Sequence, residues 1–168
     1  MHEVWITGAG VVSALGAGME SLQQAALHCR SGLKRYRLFN GAPPDPCVCG
    51  KVPPEIIPES LEDTAHKRAD LLLGNALDQA ITSASLTGEK VDADMIVGTT
   101  LGNMHGGSRY YEKWRKGERP AIELVRKFLL FSPANTIANR YAIAGKCTTI
   151  SSACGSASAA IGQAFYKI

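Results

Sequence analysis

An α/β fold is predicted because short apolar runs alternate with longer segments of helical periodicity. Residues 94–99 and 147–152 have the composition of buried strands. Residues 60–84, which precede both strands in the chain, begin with a helix-capping pair, Ser60 and Asp63. They continue with apolar residues at helical spacing. Strands and helices that alternate in this way favour a sheet covered by helices.

The remaining elements follow from local signals. Helices are predicted where apolar residues recur at helical spacing, and breaks where glycine or proline clusters. In chain order we expect a strand at 4–7, a glycine-rich turn at 8–18, a helix at 20–29 closed near Gly32, a loop at 41–58 that holds six prolines and an edge strand around Val48, helical pieces in 109–126 around Gly117 and Pro120, a helix at 135–144 ended at Gly145, and a last helix at 154–168.

Composition narrows the function class. A length of 168 residues suits one domain, and a formal charge of +3, carried by scattered basic residues, does not favour nucleic-acid binding. Five cysteines is an odd number, no basic region followed by an apolar signal core is seen, and no apolar run reaches membrane-spanning length. The sequence therefore predicts a cytoplasmic protein that binds neither nucleic acid nor membrane.

Cys154 stands where the β-branched run at 148–150 passes into a helix made of small residues. A cysteine in the first turn of a helix is close to the positive end of the helix dipole and to backbone N–H groups that lack helical partners. Both favour a thiolate and could stabilise an oxyanion. Cys154 is therefore a candidate nucleophile, and the alternative is a buried structural cysteine.

Several segments resemble the β-ketoacyl synthases, or ketosynthases, of the thiolase-like superfamily. They occur in the order and spacing of that family, and together they cover essentially the whole chain. The matching segments are residues 4–16, the Arg-Ser-Gly-Leu at 30–33, the glycine-rich strand end at 96–102, the Ser-Pro-Ala-Asn segment at 132–139, and the nucleophile segment at 148–160.

The resemblance implies a fold and a reaction. The fold would be a thiolase-like layered α/β/α arrangement with a mixed sheet, in which residues 1–168 form the N-terminal half of a two-fold pseudo-repeat. The reaction would be a decarboxylating Claisen condensation in fatty acid or polyketide synthesis, with no cofactor and no metal. Ketosynthases carry two catalytic histidines and a lysine in a second half, and none of those motifs occurs among these residues.

The resemblance also assigns roles to individual residues. Cys154 would be the covalent nucleophile, with its own backbone N–H as one oxyanion donor, and Leu101 would line the acyl pocket. Lys67 and Arg68 would contact an acidic acyl carrier protein. Ser152, where threonine is commoner, and Gly155, where serine or alanine is commoner, depart from the family pattern and leave the acyl chain length open.

Assembly with a partner is expected on two grounds. The family pairs subunits through the strand before the nucleophile, which predicts residues 147–152 at a two-fold interface, with Asn135 and Thr136 near the partner's acyl pocket. The last helix is small or apolar on every side as far as Lys167, and such a helix is normally covered. A homodimer or a second ketosynthase half would cover it.

Other interpretations stay open. The chain could be a catalytically silent assembly module, or a cysteine-dependent hydrolase or transferase in which His105 or His66 approaches Cys154. Gly8 and Gly10 begin like a dinucleotide fingerprint, but the third glycine and the later acidic residue are missing. Cys47 and Cys49 have no second ligand pair at zinc spacing, which favours two loop thiols over zinc.

Overall fold

The computed structural model describes residues 3–37, 46–57, 68–86 and 92–168. Helices and strands alternate along these residues as the sequence predicts, so the mixed α/β class is confirmed. The elements are β1 (Val12–Ser13), β2 (Gly16–Ala17), α1 (Met19–Leu27), β3 (Leu33–Tyr36), β4 (Cys47–Gly50), α2 (Arg68–Ser83), β5 (Met95–Gly98), α3 (Met104–Arg115), α4 (Glu123–Phe128), α5 (Ser132–Arg140), β6 (Cys147–Ile150) and α6 (Ser156–Lys167).

The strands pair two by two. β1 with β2 and β3 with β4 are antiparallel hairpins, whereas β5 and β6 are parallel, with Met95 opposite Cys147 and Gly98 opposite Ile150. Over the described residues these pairs are separate two-stranded sheets, so the layered α/β/α arrangement with a mixed sheet stays a prediction. The parallel pair is the one that leads to Cys154.

The small core lies where α5 and α6 pack on the parallel pair and α2 packs on α5. Ile137 of α5 is 1% exposed, and Met95 of β5 and Ala160 of α6 are also buried. Gly74 allows α2 to approach α5 closely, since a β-carbon there would lie 3.3 Å from the Ile137 Cδ1 atom. This packing fixes the position of β5 and β6 relative to the helices.

The predicted strand at 4–7 is wrong. These residues form no strand, and Trp5 and Ile6 are 79% and 88% exposed. The segment instead continues along α2, where the Val11 amide donates to the Gln79 Oε1 atom at 3.1 Å. An apolar run forms a strand only when another strand offers it hydrogen bonds, and no such strand lies beside it in the described residues.

Helix ends also differ from the expected ones. α1 ends at Leu27, and Cys29 turns the chain with a left-handed φ of 49°, so the turn precedes Gly32. α5 starts earlier than expected, at Ser132, because a proline is favourable in the first turn. It ends at Arg140, before Ala142 turns the chain with a φ of 49°.

The edge strand around Val48 is confirmed, as are separate helices on either side of Gly117 and Pro120. The capping pair Ser60 and Asp63 lies outside the described residues.

Asp94, which precedes β5, ties the C-terminal end of α6 to the residue that precedes β6. Its carboxylate accepts hydrogen bonds from the Lys167 Nζ atom at 2.6 Å and from the Lys146 backbone N–H at 2.7 Å. The hydrogen bond from Lys167, and next the one from Lys146, lower the pKa of Asp94 from its ordinary value of 3.8. The ionised form is therefore the one that holds these segments together.

Replacing Asp94 with asparagine is expected to lower the melting temperature at pH 7 by a few degrees. A lowered folded-state pKa contributes stability above the unfolded-state pKa, and this contribution is lost as the pH falls through the folded-state value. The difference between Asp94→Asn and the unsubstituted chain should thus shrink as the pH falls below 3.8, the ordinary pKa of the carboxyl, and disappear below the lowered folded-state pKa. Melting curves from pH 2 to pH 8 measure it, with Asp92→Asn, an exposed neighbour, as the control. A difference that is constant with pH would contradict the ionic explanation.

None of the helices that the structure describes is long and apolar enough to cross a membrane.

Candidate active site

Cys154 lies in the turn between β6 and α6, and its side chain is exposed. The expected helix start at residue 154 is wrong by two residues, because α6 begins at Ser156. Cys154 therefore precedes the helix instead of lying in its first turn. The Gly155 and Ser156 amides that follow Cys154 donate to the Ser152 and Ala153 carbonyls, at 2.9 and 3.2 Å, so the role of the Cys154 N–H as an oxyanion donor stays a prediction.

The turn before Cys154 is sharp because Ala153 adopts a left-handed conformation, with a φ of 44°. A residue with a β-carbon rarely takes this conformation, and it does so where the surrounding structure compensates. Here two side chains donate to the Ala153 carbonyl oxygen, the Thr100 hydroxyl at 2.9 Å and the Ser156 hydroxyl at 2.7 Å. We call this arrangement of Thr100, Ala153 and Ser156 the elbow clamp.

Ser156 makes a second contact within the same turn. Its hydroxyl oxygen accepts the Ser152 backbone N–H at 2.9 Å, and the Gly155 N–H donates to the Ser152 carbonyl at 2.9 Å. The two residues that precede Cys154 are thus both bonded to the side chain of one buried serine. Thr100 and Ser156 were missed by the sequence reasoning, since side chains far apart in the chain give no periodic or motif signal for such bonds.

Gly98 lets α6 approach the end of β5. A β-carbon at this position would overlap the Ser156 carbonyl and would lie 2.8 Å from the Ala157 nitrogen. Gly98 is therefore required for close packing of the helix that follows Cys154. The same segment supplies Thr100 to the elbow clamp, so the glycine-rich strand end supports the nucleophile turn directly.

Leu101 is 55% exposed and lies at a cavity of about 310 Å³ between α2 and α3. Arg68, Asn103 and Met104 line the same cavity. Arg68 is half-buried at the start of α2, and Lys67 lies outside the described residues. The structure thus brings two of the sequence-predicted residues, Leu101 and Arg68, to one cavity, and their roles in acyl and carrier-protein binding stay predictions.

Asn103 is the buried polar residue that organises this cavity. It is 2% exposed, its amide nitrogen donates to the Asp70 carboxylate at 2.7 Å, and its carbonyl oxygen accepts the Ala69 N–H at 2.9 Å. These bonds fix the start of α2 against the segment that follows Leu101. Asn103 was also missed by the sequence reasoning.

The structure describes the side chain of one of the four histidines, His28, and it identifies no base for Cys154 among the described residues. His105 lies in the first turn of α3, but its side chain lies outside the described part of the structure. His28 is exposed at the end of α1, and His2 and His66 lie outside the described residues. An approach of His105 or His66 to Cys154 stays a prediction.

The profile described as the β-ketoacyl synthase, N-terminal domain, matches residues 1–168. The chain belongs to the β-ketoacyl synthase family, which confirms the resemblance of its sequence motifs. It is 26% identical over 184 residues to a protein of Streptomyces halstedii named as a polyketide beta-ketoacyl synthase, with 99% of this chain and 43% of that protein covered. The chain therefore spans less than half the length of this relative.

Solved structures with ketosynthase names share the fold. The ishigamide ketosynthase/chain length factor superposes with a TM-score of 0.68 at 24% identity, over 94% of this chain and 44% of that one. A type II polyketide synthase acyl carrier protein in complex with its ketosynthase, bound to the hexaketide, gives a TM-score of 0.74 at 21% identity, over 97% and 41%. At these identities the likeness establishes the fold alone.

Proposed function

We propose that this chain is the N-terminal, nucleophile-bearing half of a β-ketoacyl synthase, one domain over residues 1–168, with Cys154 as the acyl acceptor. The observation that carries the proposal is the exposed thiol at a turn held by the elbow clamp, in a chain that belongs to this family. An exposed cysteine next to the start of a helix has access to substrate and to backbone donors.

The first step is thioester exchange. The Cys154 sulfur attacks the acyl carbonyl of a carrier-protein thioester, the bond from that carbonyl to the carrier sulfur breaks, and the carrier leaves as a thiol that takes the Cys154 proton. The backbone N–H of Cys154 is the proposed donor to the oxyanion. In this proposal Leu101 borders the acyl chain, and Lys67 and Arg68 contact the carrier protein. The complex of a ketosynthase with its acyl carrier protein supports this choice of partner.

The second step forms the carbon–carbon bond. A malonyl group loses carbon dioxide, its carbanion attacks the acyl carbonyl, and the bond from that carbonyl to the Cys154 sulfur breaks, which releases a 3-ketoacyl product and restores the thiolate. The relative from Streptomyces halstedii supports polyketide over fatty acid substrates. We propose that a second ketosynthase half supplies the groups that assist decarboxylation.

Exposed apolar surface supports association with such a second half. Ile161 and Tyr166 of α6 are 70% and 88% exposed, and Phe165 is half exposed. In the described residues β6 pairs with β5 alone, which leaves its other edge open to a strand from a second copy. Asn135 and Thr136 are exposed, which suits the predicted contact with a partner subunit. The same surface favours the alternative of a silent assembly module.

The chain alone, mixed with acyl and malonyl carrier-protein thioesters, is expected to gain the acyl mass on Cys154 and to form no 3-ketoacyl product. Adding a polypeptide that carries the second half of a ketosynthase should restore product, and sedimentation should show the two bound together. Intact-mass spectrometry and product analysis measure both steps.

Each outcome is decisive. Product from the chain alone would overturn the half-enzyme proposal and direct the search for a base to His105. Association with the second half without an acyl adduct or product would establish the silent assembly module instead.

A further inference from the structure

Three donors meet at the carbonyl oxygen of Ala153, the residue before Cys154. The Thr100 hydroxyl donates to this oxygen at 2.9 Å, and Ser156 donates through its hydroxyl at 2.7 Å and through its backbone N–H at 3.2 Å. A carbonyl oxygen has two lone pairs, so three donors restrict its direction. The elbow clamp therefore fixes the orientation of one peptide unit, the one that joins Ala153 to Cys154.

The same peptide unit contains the backbone N–H of Cys154. A trans peptide is planar, and its N–H points opposite to its C=O. Because the carbonyl is directed at Thr100 and Ser156, the Cys154 N–H is directed away from both residues. Among the hydrogen bonds of the described residues, none has this N–H as its donor. It is thus held in one direction and is available to a ligand at Cys154.

Thr100 and Ser156 hold the carbonyl in different ways. Ser156 lies three residues from Ala153 and belongs to the same turn, so its bonds set the local geometry. Thr100 follows β5 and lies 53 residues from Ala153, so its bond fixes the peptide unit relative to the parallel pair of strands. Thr100 therefore relates the direction of the Cys154 N–H to the rest of the fold.

We propose that Thr100 is a positioning residue that directs the Cys154 backbone N–H at the oxyanion formed during acyl transfer. The proposal rests on the proposed function, in which Cys154 is the acyl acceptor. A donor that is already oriented stabilises the transition state because it needs no rearrangement when charge develops. Donation from Thr100 also polarises the amide, which strengthens its N–H as a donor. Thr100 acts through the peptide unit and not on the acyl group itself.

The test compares two reactions of the Cys154 sulfur. In the first, the sulfur attacks the carbonyl of S-acetyl-N-acetylcysteamine, negative charge collects on the carbonyl oxygen, and N-acetylcysteamine leaves as a thiol that takes the Cys154 proton. In the second, the sulfur displaces iodide from the saturated carbon of iodoacetamide, its proton passes to solvent, and no oxyanion forms. Peptide mass mapping of the full chain gives both rates at Cys154, and their ratio reports on the oxyanion donor.

Thr100→Val is expected to slow acetylation of Cys154 by about tenfold and to leave its alkylation unchanged. Loss of a whole oxyanion donor costs about a hundredfold or more, and here the donor remains but loses its fixed direction. Thr100 is exposed and valine keeps its branched shape, so the chain should stay folded, which thermal melting verifies. Thr100→Ser keeps the hydroxyl and should restore the ratio of the unsubstituted chain.

Thr99→Val is the matched control. Thr99 lies next to Thr100, but its hydroxyl oxygen accepts the Gly102 N–H at 3.1 Å and does not bond to Ala153. Its removal should leave the ratio of acetylation to alkylation unchanged.

The outcomes separate this proposal from the proposed function. An unchanged ratio in Thr100→Val, or the same fall in Thr99→Val, would overturn the role of Thr100 and leave Cys154 as the acyl acceptor. Equal slowing of both reactions would also overturn that role, because the hydroxyl would then hold the thiol and not the oxyanion donor. If the ratios change as expected but a carrier-protein thioester transfers no acyl group to Cys154, the proposed function fails and the role of Thr100 stands.

Discussion

Cys154→Ser is expected to slow acylation of the chain by a carrier-protein thioester by about a thousandfold or more, because a serine hydroxyl without an adjacent base is a much weaker nucleophile than a thiolate. Cys154 is an exposed residue in the turn that the elbow clamp holds. The rate of gain of the acyl mass, followed by intact-mass spectrometry, measures the effect. Iodoacetamide labelling should also show Cys154 as the fastest of the five cysteines.

Cys147→Ser is the matched control for this substitution. Cys147 begins β6, seven residues before Cys154, and burial of its sulfur raises the pKa of the Cys147 thiol although the residue as a whole is exposed. A raised pKa leaves less thiolate at neutral pH, so Cys147 should label slowly and its replacement should leave acylation unchanged. Faster labelling of Cys147 or Cys29 than of Cys154 would remove the physical support for the nucleophile assignment.

The strand and the helix on either side of Cys154 were predicted well from the sequence. The β-branched residues at 148–150 and the small residues after Cys154 are strong local signals, and both the strand and the helix are found there. The parallel partner, β5, was also predicted from its apolar run. These elements are determined by residues close together in the chain, which is why periodicity and composition identify them.

The bonds that shape the site could not be predicted in this way. Thr100 reaches Ala153 across 53 residues, and Asn103 reaches Asp70 across 33. Nothing in the composition of either segment shows which hydroxyl or amide will meet which carbonyl. The Thr100 bond also holds Ala153 in a left-handed conformation for which alanine has no local preference.

Tertiary contacts also explain why the predicted strand at residues 4–7 does not form. Residues 4–7 have the composition of a strand, but an apolar run becomes a strand only through hydrogen bonds to a neighbour. In the described residues the neighbouring surface is α2, and Gly8 and Gly10 pass so close to it that β-carbons there would meet the carbonyls of Ala80 and Ala76. The glycines that suggested a nucleotide turn are thus explained by packing.

Gly98→Ala is expected to destabilise the chain by about 3 kcal/mol, the upper range for overpacking, because the new β-carbon would overlap the backbone of Ser156 and not a movable side chain. At roughly 3 °C per kcal/mol for a chain of this size, the melting temperature should fall by about 10 °C. α6 must shift to relieve the overlap, and it carries Ser156 of the elbow clamp with it. Cys154 acylation should therefore fall along with stability.

Gly162→Ala provides the matched control, since it makes the same substitution on the helix that Gly98 approaches. A β-carbon at Gly162 meets nothing within 4 Å, and alanine is favoured over glycine inside a helix by about 1 kcal/mol, so this variant should be more stable than the unsubstituted chain. Thermal melts of both variants measure the pair of opposite shifts. If Gly98→Ala proved neutral or stabilising, α6 would not be in close contact with β5, and the packing that holds the Cys154 turn in place would have to be reassigned.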